Sequence, residues 1–120
     1  MTHLNISVAT DKLRLAKPFR ISGYVFEAFD VIVVPLDDGR HRGRGEAGGV
    51  YYLGDDVPHM LAALDGASAA IAAGPTREEL RSILPPGGAR NAVDCALWEL
   101  EAQRAGVPVW RLAGLDAVRP

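Results

Sequence analysis

The apolar pattern of this chain changes period once, near Asp55, and that change limits the folds open to it. Before it the residues alternate. Leu4, Ile6 and Val8 interleave with Asn5 and Ser7, and Leu13 and Leu15 with Lys12 and Arg14, the period-2 pattern of a strand with one buried face. Pro18 interrupts the pattern. A β-branched run from Val31 to Val34 leads into Asp37-Asp38-Gly39, a strong hairpin signal, and a short third strand follows from Arg42 to Ala47. The reading predicts a three-stranded antiparallel meander over about residues 3–53, with irregular excursions from Lys17 to Phe26 and from Gly48 to Asp56.

Beyond Asp55 the spacing becomes helical. Met60, Leu61, Leu64, Ala67 and Ile71 recur at i, i+3, i+4, and Gly74-Pro75 ends the run. Thr76-Arg77-Glu78-Glu79 forms a capping box for a short second helix, which Pro85-Pro86-Gly87-Gly88 stops. The strongest helix runs from about Ala89 to Arg104, with Val93, Ala96, Leu97 and Leu100 on one face and Gly106 and Pro108 behind it. Strands followed by a small helical bundle over about residues 55–113 make the fold class α+β. A length of 120 residues, 48% of them hydrophobic, suits one domain spanning residues 1–120.

Charge narrows the partners. The thirteen Lys and Arg are scattered and the net charge is −2, so nucleic acid is not an expected partner. No apolar stretch is long enough to span a bilayer, and no basic start with an apolar run marks a secretory leader, so no membrane partner is expected either. The single cysteine, Cys95, is read as a small apolar residue packed on its helix, and a lone free thiol favours a reducing, cytoplasmic location.

The segment Arg90-Asn91-Ala92-Val93-Asp94-Cys95-Ala96-Leu97-Trp98-Glu99-Leu100, with Gly106-Val107-Pro108-Val109-Trp110-Arg111-Leu112-Ala113-Gly114 after it, resembles the last helix and exit turn of the N-terminal capping domain of mandelate-racemase and muconate-lactonising enzymes of the enolase superfamily. Lys17-Pro18-Phe19-Arg20 resembles the start of that family's first specificity loop, and Gly43-Arg44-Gly45-Glu46 the strand leading to the second. Tyr52-Leu53-Gly54-Asp55 and the stretch from Thr76 to Pro85 are most similar to the dipeptide-epimerase branch. The resemblance covers nearly the whole chain, Ile6 to Leu115.

What the resemblance implies is a capping and substrate-specificity domain. In the family a TIM-type barrel follows, which carries three carboxylate ligands for Mg²⁺ and the acid and base. The full-length parent is then a Mg²⁺-dependent isomerase, an epimerase or racemase of dipeptides or N-acyl amino acids working by 1,1-proton transfer. The barrel is absent from this chain, so no catalytic residue and no metal ligand is expected in it, and the chain alone is expected to be inactive. Its small-molecule substrate would be shared with that barrel. Two alternatives stay open: the capping domain of a lactonising or dehydrating relative, or a stand-alone binding or assembly module. In the second, a strip around Val107, Val109, Trp110 and Leu112, left uncovered, would drive homo-oligomer formation.

The candidate specificity residues are Arg20, Gly23, Tyr24 and Phe26 in the first loop and Tyr51 and Tyr52 in the second. Relatives acting on Ala-Glu place an arginine in the first loop. Here Tyr24, Val25 and Phe26 offer apolar surface instead, although Arg20 remains within the loop. Leu53 is expected to staple the first helix to the sheet, and Glu46 to anchor the loops. Asp94 and Glu99 are expected to be solvated or paired with arginines, and Trp98 and Trp110 to pack in the core and against the barrel. The two lysines, Lys12 and Lys17, have no carboxylate trio around them, and His3, His41 and His59 lie too far apart for a metal site.

Overall fold

A computed structural model describes residues 3–116. Its order is β1 (Asn5–Ile6), β2 (Ala9–Ile21), β3 (Tyr24–Asp37), β4 (Arg42–Ala47), a 3₁₀ turn (Tyr51–Leu53), α1 (Val57–Ala72), α2 (Arg77–Ile83), α3 (Gly88–Ala105) and α4 (Val109–Leu112). Strand β3 is central. β1 and β2 pair along one of its edges and β4 along the other, all antiparallel, so the predicted meander is present with its first strand broken near Ser7.

The first excursion is regular where irregularity was expected. β2 continues to Ile21 and β3 resumes at Tyr24, joined by Ser22 and Gly23 at φ 45° and 83°, the left-handed pair of a tight hairpin turn. Pro18 falls in a register shift between Arg14 and Phe19 and leaves the pairing beyond it intact, as an edge strand permits. The buried face expected of the first strand persists only at its start. Leu4, whose N–H donates to the Ala72 carbonyl of α1, is buried and Ile6 packs against the core. Leu13, by contrast, is 42% exposed because the helices cover β1, β4 and the C-terminal half of β3, where Ile32, Val34 and Leu36 are buried. The outer hairpin projects past that layer, and the radius of gyration is 15.6 Å, against about 14 Å for a compact chain of this length.

Local signals explain the helices. Asp56 caps α1 by accepting from the His59 N–H at 3.0 Å. Thr76 and Glu79 complete the capping box of α2, and Gly106, at φ 68°, ends α3. Met60, Leu64 and Ile71 of α1, Leu80 of α2 and Val93, Leu97 and Leu100 of α3 fill one core, each large apolar side chain contributing roughly 1.5–3 kcal/mol. α3 lies directly on β4. A Cβ at Gly43 would stand 2.1 Å from the Ala96 carbonyl oxygen, and one at Gly45 1.8 Å from that of Ala92, so Gly-x-Gly is the condition for this contact.

Two side chains on α3 differ from expectation, because its apolar face is narrower than its composition suggests. Cys95 is exposed on the solvent side, and partial burial and then Asp94 push its thiol above the usual range. Trp98 is half-buried outside the core, with the Arg77 guanidinium 3.4 Å above its ring and that arginine held in turn by Glu101 at 2.7 Å.

Candidate functional site

The two excursions meet. Gly48 and Gly49 carry the chain out of β4, with Gly49 at φ 73°, and the 3₁₀ turn Tyr51–Leu53 ends on Gly54 at φ 70°. Val50 and Asp55 then pair backbone to backbone at 2.9 and 3.2 Å, closing the loop on itself. This closure sets Tyr51 against the hairpin. Its ring centroid lies 4.8 Å from that of Tyr24 and 5.1 Å from that of Phe26, both edge-on. Tyr24 stacks with Phe26 at 6.2 Å, Tyr52 meets Tyr51 at 5.2 Å, and Phe29 meets Phe26 at 5.2 Å.

Four of the six candidates, Tyr24, Phe26, Tyr51 and Tyr52, thus form one aromatic cluster. Gly23 sits at the hairpin tip, in open space, where its backbone conformation and not close packing favours glycine. Arg20 is placed apart from the cluster. It pairs with Val25, and strand pleating puts that pair on the face opposite Tyr24 and Phe26. The cluster is open rather than enclosed: Tyr52 is 70% exposed and Leu53 72%, so Leu53 does not staple helix to sheet. A surface hollow of about 490 Å³ lies elsewhere, beside Arg81, Arg90 and Asp94, and includes none of these rings.

The carboxylate that anchors the loops is Asp55, whereas Glu46 is exposed on the outer face of β4. Asp55 is 8% exposed, the one buried charged residue among those described. Its Oδ2 accepts the Gly88 N–H at 2.8 Å, and its Oδ1 lies 2.8 Å from His59 Nδ1. Burial pushes the Asp55 carboxyl upward, but the Gly88 N–H and then His59 outweigh it and hold the group below the usual carboxylate range. The sequence marks Asp55 as the point where the apolar period changes and as the end of the Tyr52–Asp55 resemblance, and leaves His59 too far from His3 and His41 for a metal site. A signal existed: α3 opens on Gly87-Gly88 with no capping side chain of its own, and Asp56 already suffices for α1.

Other polar groups pair within the fold. Glu99 accepts the Arg44 backbone N–H, and Lys12 pairs with Asp30 at 2.8 Å on the exposed hairpin. Among the described residues no three His, Cys, Asp or Glu side chains converge, so the donors there do not fit a Mg²⁺ site. No helix among them is long and apolar enough to cross a membrane.

Residues 3–114 match the model of the mandelate racemase / muconate lactonizing enzyme N-terminal domain. An L-Ala-D/L-Glu epimerase of Escherichia coli is 34% identical over 110 residues, covering 92% of this chain and 34% of that protein. A hydrophobic dipeptide epimerase of Roseobacter litoralis is 33% identical over 118 residues, covering 93% and 34%. A dipeptide epimerase of Methylococcus capsulatus, solved in complex with Mg and the dipeptide L-Arg-D-Lys, superposes with a TM-score of 0.83 at 29% identity over 95% of this chain and 35% of that one. The chain spans about a third of the length of the curated relatives it matches.

Proposed function

This chain belongs to the mandelate racemase / muconate lactonizing enzyme family as its N-terminal domain, and from that premise we propose that it is the capping and specificity domain of a dipeptide epimerase. The observation that carries the reading is the contact of Tyr51 with Tyr24 and Phe26, which merges two separate excursions into one exposed aromatic surface. Such a surface suits the distal side chain of a small substrate better than it suits metal-assisted proton transfer, for which no three His, Cys, Asp or Glu side chains converge among the described residues. The similar epimerases are named for acidic and hydrophobic dipeptides, and one is solved with a cationic dipeptide. Family membership by itself therefore does not fix the side-chain preference.

The parent reaction is the exchange of a proton at the carbon next to a carboxylate. In it this chain orients and shields the distal part of the substrate, while Mg²⁺ and the bases belong to a part of the protein outside it. Aromatic rings in place of a cation select apolar or aromatic side chains over carboxylates. Deuterium exchange at the α-carbon of Ala-Phe tests the assignment: exchange is expected in the full-length protein with Mg²⁺, and none above buffer with the 120-residue chain. Exchange by the chain alone, or none by the parent on any dipeptide, sinks the reading.

A second reading, a self-associating stand-alone module, draws on the exposure of Val109 and Leu115 in the strip after Gly106. Full activity of the parent as a monomer would leave that reading without support.

A further inference from the structure

We propose that Asp55 is a positioning residue that locks the second loop onto α3 and, through Tyr51, fixes the tip of the β2–β3 hairpin, so that the two loops act as one aromatic lid. Three features converge on it. The Gly88 N–H, at the uncapped start of α3, donates to the Asp55 carboxylate at 2.8 Å. The Val50–Asp55 backbone pair then closes the loop within the same few residues. The base of the loop has no slack, since a Cβ at Gly49 would stand 1.9 Å from the Asp55 carbonyl oxygen and one at Gly88 3.2 Å from the Gly49 Cα.

Between the two ends of that closure lie residues 51–54, and the first of them carries the ring that touches the hairpin. Tyr24 and Val25 at the hairpin tip are exposed on a strand pair that the helices leave uncovered. An anchored Tyr51 therefore restrains a tip that its own strands hold only at one edge. The coupling stands on these contacts alone. Its consequence for substrate rests on the function proposed above.

Hydrogen exchange in the full-length protein separates the two. Asp55→Ala is expected to speed exchange by about fivefold or more in both residues 50–55 and residues 22–26, with α2 unchanged. Asp55→Asn, which keeps an acceptor oxygen for Gly88, should restore both. Tyr51→Leu, at an exposed position that threatens the fold less, should speed exchange at 22–26 and leave the Val50–Asp55 closure protected. A tip that exchanges at the wild-type rate in Asp55→Ala or in Tyr51→Leu overturns the proposal. Kinetics give the second readout: KM for an apolar dipeptide should rise in Asp55→Ala with kcat held within about twofold, and recover in Asp55→Asn. Coupled exchange with an unchanged KM would uphold the coupling and remove the reading that the loops touch substrate.

Discussion

The Asp55 carboxylate and the Gly88 backbone N–H, thirty-three residues apart in the chain, meet at 2.8 Å. One bond thereby ends the strand half of the molecule and starts its longest helix. Removing it leaves a buried donor at the head of α3, so Asp55→Ala is expected to cost roughly 1–3 kcal/mol. Urea unfolding checks this, with a midpoint shift at unchanged slope as the expected result.

Acid should find the same weakness and one more. Asp38 accepts from the His41 N–H at 2.6 Å, from Arg104 Nε at 2.7 Å and from the Arg40 N–H at 2.9 Å, and these hold its carboxyl far below the usual range. Asp55 is lowered as well. Both folded-state values lie below those of the unfolded chain, so their stabilisation is complete above the ordinary carboxylate value of about 4 and is lost as pH falls below it. The melting temperature should drop steeply below that pH in the wild type and less steeply in Asp38→Asn. Parallel curves for the two would contradict this.

Two glycines give opposite expectations for the same change. Gly45→Ala drives a methyl into the Ala92 carbonyl and should destabilise by about 1–3 kcal/mol or more. Gly66 lies inside α1, exposed, with open space where its Cβ would stand. There Gly66→Ala should stabilise by about 0.5–1 kcal/mol. Thermal melts of the pair decide it, and equal effects would remove close packing as the reason for the Gly-x-Gly of β4.

These sites also show what the sequence could and could not reveal. Capping boxes, αL glycines and the apolar faces of α1 and α3 are encoded within a few residues, so they were legible. The hairpin tip was not, because Pro18 and the charged residues around it hide a strand that resumes beyond a register shift. Leu13 and Cys95 failed for a different reason: burial depends on which part of the sheet the helices cover, and no local pattern carries that. Tyr24 and Tyr51 were each visible as candidates. That their rings touch required the tertiary fold.

The strip after Gly106 gives a hydrodynamic expectation. Val109 and Leu115 are exposed and Trp110 and Leu112 are half-buried, so the 120-residue chain alone should self-associate as concentration rises. Sedimentation velocity across a hundredfold range in concentration would show it, and Val109→Glu should weaken it. A monomer throughout would contradict the expectation.

The central claim, that the aromatic cluster sets substrate preference, is tested most directly by kcat/KM over a small dipeptide library, comparing the full-length wild type with Tyr24→Arg. Wild type is expected to prefer Ala-Phe and Ala-Leu to Ala-Glu. The variant should gain on Ala-Glu by about one to two powers of ten relative to those substrates, the worth of one charged hydrogen-bonded pair. A wild type that already prefers Ala-Glu, or a variant with the same ranking, would contradict the account and shift recognition to Arg20 or to residues outside this chain.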